Sequence, residues 1–130
     1  MIYLDTSVAL AHLLSEDRAP PSELWQETLV SSRLLEYELW VRLNGRKLGL
    51  SHGEAARLLL GRVAFVELAA PVLARALDPF PLVVRTLDAL HLASIEFLRG
   101  QGQALELASY DERMLAAARK LRIPVSRLAE

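Results

Sequence analysis

The residues of this chain best suited to chemistry are aspartates, of which there are five, three of them placed where a strand gives way to a helix or where a helix begins. Asp5 follows the apolar, β-prone run ending at Leu4 and precedes Thr6-Ser7 and the apolar stretch Val8 to Leu14. Asp111 closes the run Leu105 to Ser109 in the same way, and Asp88 falls in the first turn of a helical pattern from Leu87 to Leu98. In an open parallel α/β sheet, ligands bind beyond the carboxyl ends of the strands. If the strands before Asp5 and Asp111 are neighbours, both carboxylates point into one crevice. Charges gathered there repel: two unit charges about 4 Å apart by roughly 4 kcal/mol at an effective dielectric near 20. Such a cluster either takes up protons or holds hard divalent cations, and an all-oxygen ligand set selects Mg²⁺ or Mn²⁺ over softer metals.

Each acid has a plainer reading. Aspartate is a favoured helix N-cap, which would account for Asp5 and Asp111 singly, and the helix macrodipole welcomes any carboxylate at Asp88. On the predicted helix from Leu34 to Lys47, Glu38 shares a face with Leu34, Leu35 and Val41, while Glu36 shares one with Trp40 and Leu43. That helix is apolar nearly all round, so spacing does not choose between the two glutamates. His91 lies one turn beyond Asp88, where it could orient a carboxylate or assist a leaving group, although a partly buried structural histidine is the simpler reading. Trp25 and Trp40 suit a core or an interface better than base stacking.

The elements that must position these residues follow from periodicity and punctuation. A strand over residues 1 to 4 leads through Asp5-Thr6-Ser7 into a helix to Leu14. Ser22 caps a helix over Glu23 to Leu29, the helix from Leu34 ends near Gly49, and Ser51 with Glu54 has the spacing of a capping box for a helix to Leu60. Val63 to Leu68 reads as a second strand, Pro71 as the first residue of a helix broken by Pro79 and Pro81, and the helix to Leu98 is stopped by Gly100 and Gly102. Ala104 to Ala108 reads as a third strand, Glu112 to Leu121 as a helix and Ile123 to Ser126 as a last short strand. This alternation predicts a three-layer α/β/α fold around a central, mostly parallel sheet with right-handed crossovers.

At 130 residues and 52% apolar content, one domain over 1–130 is expected. The absence of cysteine excludes disulfides, thiolate zinc sites and cysteine nucleophiles. A net charge of -1 gives no global drive toward nucleic acid or an anionic membrane. The N-terminus has no signal-peptide pattern and no apolar stretch reaches the roughly 18 residues of a membrane span, so a cytoplasmic location without membrane contact is expected.

Taken together, Ile2-Tyr3-Leu4-Asp5-Thr6-Ser7, Ser32 followed by Glu38-Leu39, Thr86-Leu87-Asp88-Ala89-Leu90-His91-Leu92-Ala93 and Ser109-Tyr110-Asp111 resemble the successive motifs of PIN-domain nucleases. The short length resembles the VapC toxins of toxin–antitoxin pairs, and the likeness runs over nearly the whole chain. It implies that Asp5, Glu38, Asp88 and Asp111 are the acidic metal-site and catalytic positions, which takes Glu38 over Glu36. It further implies that Ser109, standing where threonine is more usual, supports the last of them with its hydroxyl, as Thr6 supports the site from the first motif. Arg85 and Thr86 are candidate RNA contacts. The implied activity is Mg²⁺-dependent hydrolysis of RNA phosphodiesters, with Mn²⁺ able to substitute, leaving 5′-phosphate and 3′-hydroxyl ends.

The implied partners are RNA, a VapB-like antitoxin and a second copy in a homodimer. The helices from Ser22 to Leu48 carry Leu24, Trp25, Leu29, Leu34, Leu39, Trp40 and Leu43, more large apolar residues than a small core needs, which suggests a groove for an amphipathic partner helix. Two other enzyme classes are disfavoured. A phosphoryl-accepting receiver domain wants a lysine at a late strand end, and Lys47 and Lys120 fall on helices; a dehalogenase-type phosphatase wants an acid where Ser7 stands. A housekeeping RNA-processing nuclease and a non-catalytic PIN-like binding module are the alternatives.

Overall fold

The computed structural model describes residues 1–128. Its strands β1 (Ile2–Leu4), β2 (Leu29–Ser32), β3 (Val63–Val66) and β4 (Glu106–Ala108) form one parallel sheet in the order β3-β2-β1-β4. The helices are α1 (Thr6–Leu13), α2 (Leu34–Gly45), α3 (Gly49–Leu60), α4 (Ala70–Ala76), α5 (Thr86–Gly100) and α6 (Glu112–Lys120).

Successive strand residues point to opposite faces, and the two cores divide accordingly. Ile2, Leu4, Leu29 and Ala108 join Val8, Leu10, Leu39, Leu43 and Leu59 in a core with α1, α2 and α3. Tyr3, Val30 and Leu107 join Leu92, Ile95, Met114 and Leu115 in a second core with α5 and α6. Both faces of the sheet are covered, which gives the three α/β/α layers. From β1 the chain moves outward to β2 and β3, whereas β4 pairs with the other flank of β1. The carboxyl ends of β1 and β4 therefore flank a topological switch point, where an open α/β sheet forms its crevice.

Several elements differ from the sequence expectation. Residues 22 to 29 hold only a 3-10 turn, Ser22–Gln26, whose N-cap is Pro21, and Leu29 belongs to β2. Strand β2 escapes a hydropathy reading because half of it is serine. Ser31 donates its hydroxyl to the Leu4 carbonyl at 2.7 Å, and the Ser32 hydroxyl accepts the Leu34 N–H at 3.1 Å, so these polar groups are satisfied inside the fold. Helix α3 starts two residues before Ser51, whose hydroxyl turns back to the Leu48 carbonyl at 3.3 Å, so no capping box forms. The last predicted strand is reduced to one parallel bridge between Leu107 and Val125. Pro124 cannot donate to a ladder, and Arg122 has a left-handed φ of 60°.

The apolar surplus assigned to residues 22 to 48 also needs correction. Leu24, Leu29, Leu39 and Leu43 are buried in the first core, with Trp25 and Trp40 packed half-buried against it. The stripe Leu35, Leu39, Leu43 is the inward face of α2, and Val41 is exposed. The exposed apolar residues of α2 and α3 are Tyr37, Val41, Leu50 and Leu58. Among the described residues, no helix is long and apolar enough to cross a membrane.

Leu92 is fully buried in the second core, on the helix that carries Asp88 and His91. Leu92→Ala should lower unfolding free energy by about 3 kcal/mol, read by urea denaturation; a loss below about 1 kcal/mol would mean that this core does not hold α5 in place.

Candidate active site

Asp5 stands at the N-cap position of α1 but does not act as a cap. Its backbone carbonyl accepts the Val8 and Ala9 N–H groups, while the side chain makes no cap hydrogen bond. The carboxylate turns toward β4 instead, where Oδ2 accepts the hydroxyls of Ser7 at 2.6 Å and Ser109 at 2.7 Å. The same two serines tie down the loop beyond β4: Ser7 Oγ accepts the Tyr110 N–H and Ser109 Oγ the Asp111 N–H, both at 2.9 Å. Asp5 is only 6% exposed, has no ion-pair partner among the described residues, and leaves Oδ1 without a hydrogen bond from them.

The choice between the two glutamates is decided by where their helix faces lie. Glu36 pairs with Arg33 at 3.2 Å away from the crevice, whereas Glu38 lines it. Glu38 Oε1 accepts the Thr6 hydroxyl at 2.8 Å and lies 2.6 Å from His91 Nε2. Burial alone would raise the Glu38 pKa, but the hydrogen bonds from His91 and Thr6 and the nearby positive charges of His91 and Arg42 outweigh it, and the net shift is downward. Burial likewise pulls His91 down, and the Glu38 hydrogen bond with the charges of Glu38, Asp5 and Asp88 more than reverses it.

Asp88 and Asp111 are joined by one guanidinium. Arg85 donates from Nε to Asp88 Oδ2 at 3.2 Å and from an η nitrogen to Asp111 Oδ2 at 3.1 Å. Asp111 also caps α6, its Oδ1 accepting the Arg113 and Met114 N–H groups at 2.9 and 3.3 Å, so the plain reading of this residue holds alongside its place in the site. The hydrogen bond to Asp88, followed by the charges of Asp88, Asp111 and Asp5, keeps Arg85 firmly protonated.

Asp5, Thr6, Glu38, Arg85, Thr86, Asp88 and Asp111 all line one cleft of about 300 Å³. Ser109 lies beneath it, reaching it through Asp5. Ser7, Arg42 and His91 line the same cleft and were not assigned to a site from the sequence. For Ser7 the signal was available in its spacing two residues beyond Asp5; for Arg42 it was the one-turn spacing from Glu38.

As the side chains stand, no group of three or more His, Asp or Glu among the described residues is close enough together to hold a metal ion. The donor chemistry nonetheless fits a hard cation. Four carboxylates from four separate elements share the cleft, and among the described residues the most buried of them, Asp5, makes no ion pair and receives no hydrogen bond at Oδ1. Arg85 already answers the charge of two others, as a cation would.

Comparison with known proteins gives a consistent result. The PIN domain family model matches residues 2–120. Ribonuclease VapC47 of Mycobacterium tuberculosis is 31% identical over 128 residues, covering 93% of this chain and 92% of that protein. Among solved structures, Mycobacterium tuberculosis VapC20, described as a sarcin-ricin loop cleaving toxin, superposes with a TM-score of 0.68 at 22% identity, covering 90% of this chain and 95% of that one. A toxin–antitoxin complex from Klebsiella pneumoniae gives a TM-score of 0.68 at 18% identity, covering 100% of this chain and 99% of that chain. At these identities the two structures speak for the fold alone.

Two measurements check the electrostatics. Asp5→Asn removes a buried carboxylate that makes no ion pair among the described residues, while keeping an acceptor for the serine hydroxyls. It should raise the melting temperature in EDTA by about 3 °C, equivalent to roughly 1 kcal/mol, and remove any further rise with Mn²⁺. Asp111→Asn should gain less, because it also loses the Arg85 pair; equal gains would argue against the different roles of these acids.

The Glu38–His91 pair sets a pH window. A raised folded-state pKa at His91 contributes stability that is present below the ordinary value of 6.5 and lost as pH rises through the folded value. A lowered one at Glu38 contributes stability that is present above 4.5 and lost as pH falls through the folded value. The stability difference between wild type and Glu38→Gln in urea should therefore be largest between pH 4.5 and 6.5; a flat difference would contradict the pairing.

Proposed function

The chain belongs to the PIN-domain family, and from that membership we propose that it is a divalent-metal-dependent endoribonuclease working as the toxin of a toxin–antitoxin pair. The observation that carries this reading is Asp5, a buried carboxylate that makes no ion pair and has Oδ1 unbonded among the described residues, in one cleft with Glu38, Asp88 and Asp111. The names of the relatives support it: one is a ribonuclease, one a toxin that cleaves an RNA loop and one part of a toxin–antitoxin complex.

In this reading Asp5, Glu38, Asp88 and Asp111 would hold Mg²⁺, or Mn²⁺ in its place. Such a cation supplies Lewis-acid polarisation of a phosphate oxygen and lowers the pKa of water toward neutrality. The protein's own contribution is rigidity and charge. Asp5 is held through Oδ2 by two serine hydroxyls at the end of a central strand, and Asp111 through Oδ1 by the first N–H groups of α6, so one oxygen of each is fixed to the frame. Thr6 and His91 hold Glu38 from behind.

Arg85, whose side chain is 62% exposed, can leave its acidic partners for an RNA phosphate, and Thr86 beside it adds a hydroxyl at the cleft wall. The reaction is in-line hydrolysis. A water oxygen forms a bond to phosphorus as the bond to the ribose 3′ oxygen breaks, leaving a 5′-phosphate and a 3′-hydroxyl.

As a cytoplasmic nuclease of one domain it would need restraint. An amphipathic helix of a VapB-like antitoxin suits the exposed Tyr37, Val41, Leu50 and Leu58 on α2 and α3, and an arginine from that partner suits the anionic cleft. A homodimer would use other helical surface, for which Leu77 and Val83 stand exposed beside the start of α5.

Purified protein should cut single-stranded RNA with Mg²⁺ or Mn²⁺ and stop with EDTA, and Asp88→Asn should fold yet lose at least about a hundredfold in rate, of the order seen when a transition-state contact is removed. Cleavage undiminished in EDTA would refute metal dependence. Expression of the wild type alone should arrest growth, Glu38→Gln should not, and co-expression of the adjacent small gene should restore it. A harmless but active wild type would favour housekeeping RNA processing.

A further inference from the structure

We propose that Tyr3 and His91 are positioning residues: a buried hydrogen-bonded strut that fixes which oxygen of Glu38 faces the cleft. The inference rests on the reading of that cleft as a cation site, and its geometry is independent of it. The Ser32 N–H donates to Tyr3 Oη at 3.1 Å, Oη lies 2.7 Å from His91 Nδ1, and His91 Nε2 lies 2.6 Å from Glu38 Oε1. Tyr3 is fully buried, and the His91 side chain is 2% exposed. The chain of contacts joins β2, β1, α5 and α2, with the two rings edge to face at 86°.

The direction of the hydrogens follows from the carboxylate. An ionised Glu38 can only accept, so the ring hydrogen of a neutral imidazole is on Nε2, aimed at Oε1, and Nδ1 is left to accept the Tyr3 hydroxyl. When the imidazole is charged, Nδ1–H donates to Oη and Nε2–H still donates to Glu38. A tyrosine hydroxyl can act either way, so the contact to Glu38 does not depend on the state of the ring.

A histidine buried only for packing would not need to reach a carboxylate at the cleft. Here the Thr6 hydroxyl and His91 both act on Oε1, and no described residue donates to Oε2. Asp5 follows the same pattern, with two hydroxyls on Oδ2 and Oδ1 free. In each acid one oxygen is pinned and the other is left for a ligand, as in metal sites where partners behind the ligands set their orientation.

Tyr3→Phe keeps the ring and removes the hydroxyl. Three readouts test the strut: the His91 tautomer from ring ¹⁵N NMR shifts in metal-free protein, the Kd for Mn²⁺ by titration calorimetry, and the melting temperature. Once titrated to its neutral form, the wild-type ring should hold its hydrogen on Nε2, and Tyr3→Phe should mix the tautomers and weaken Mn²⁺ binding about tenfold. His91→Gln, whose amide can stand in for Nε2–H, should bind Mn²⁺ more tightly than His91→Leu.

If Tyr3→Phe and His91→Leu melt lower but bind Mn²⁺ as the wild type does, the residues are merely structural and the proposal is overturned. A neutral wild-type ring with its hydrogen on Nδ1 overturns it without any variant. If the wild type binds no Mn²⁺, the cation-site reading fails, while the tautomer result still decides the geometry of the strut.

Discussion

The constraint on which the site depends is the repulsion among carboxylates brought to one edge of a parallel sheet. Acids lining one half-buried cleft stay ionised at lowest cost when each is answered by a donor or a cation. The fold answers them unevenly. Asp88 and Asp111 share Arg85, Glu38 has His91 and Thr6, and the hydrogen bonds to the Asp5 carboxylate from the described residues come from two neutral hydroxyls. That unevenness leaves Asp5, buried beside the first strand, without a direct ion pair among the described residues.

Topology makes the gathering possible. With β1 between β2 and β4, the chain segments that leave β1 and β4 meet at the switch point, and α5 brings Asp88 and His91 across from the second core. The side chains that pin the acids belong to the same frame. Ser7 and Ser109 each satisfy a backbone N–H of the β4–α6 loop and a carboxylate oxygen of Asp5, so the loop that carries Asp111 is tied directly to the residue it must meet. Loss of either hydroxyl would disturb two acids at once.

Much of this was legible in the sequence, and what was not has a physical reason. Asp5 and Asp111 announce themselves by following β-prone runs and preceding helices, and that position is also the one favoured for an ordinary cap. Only the structure separates them, since Asp111 caps its helix and Asp5 does not. Helix α2 is too uniformly apolar for periodicity to prefer Glu38 over Glu36, and that choice came from the family motifs. Strand β2 was missed because Ser31 and Ser32 find their partners within the fold, which hydropathy cannot show. Tyr3 looked like one more strand residue. Its hydroxyl gains meaning only when α5 places His91 against it, 88 residues along the chain.

The central claim is that the cleft is built to receive a hard cation, with the free oxygens of Asp5 and Glu38 turned toward it. Anomalous diffraction from crystals of the metal-free protein soaked in Mn²⁺ tests this most directly. The account predicts a peak inside the cleft in contact with Asp5 Oδ1, accompanied by a shift of the Arg85 side chain away from Asp88 and Asp111. A cleft without a peak, with Arg85 still bridging the two aspartates at saturating Mn²⁺, would contradict it.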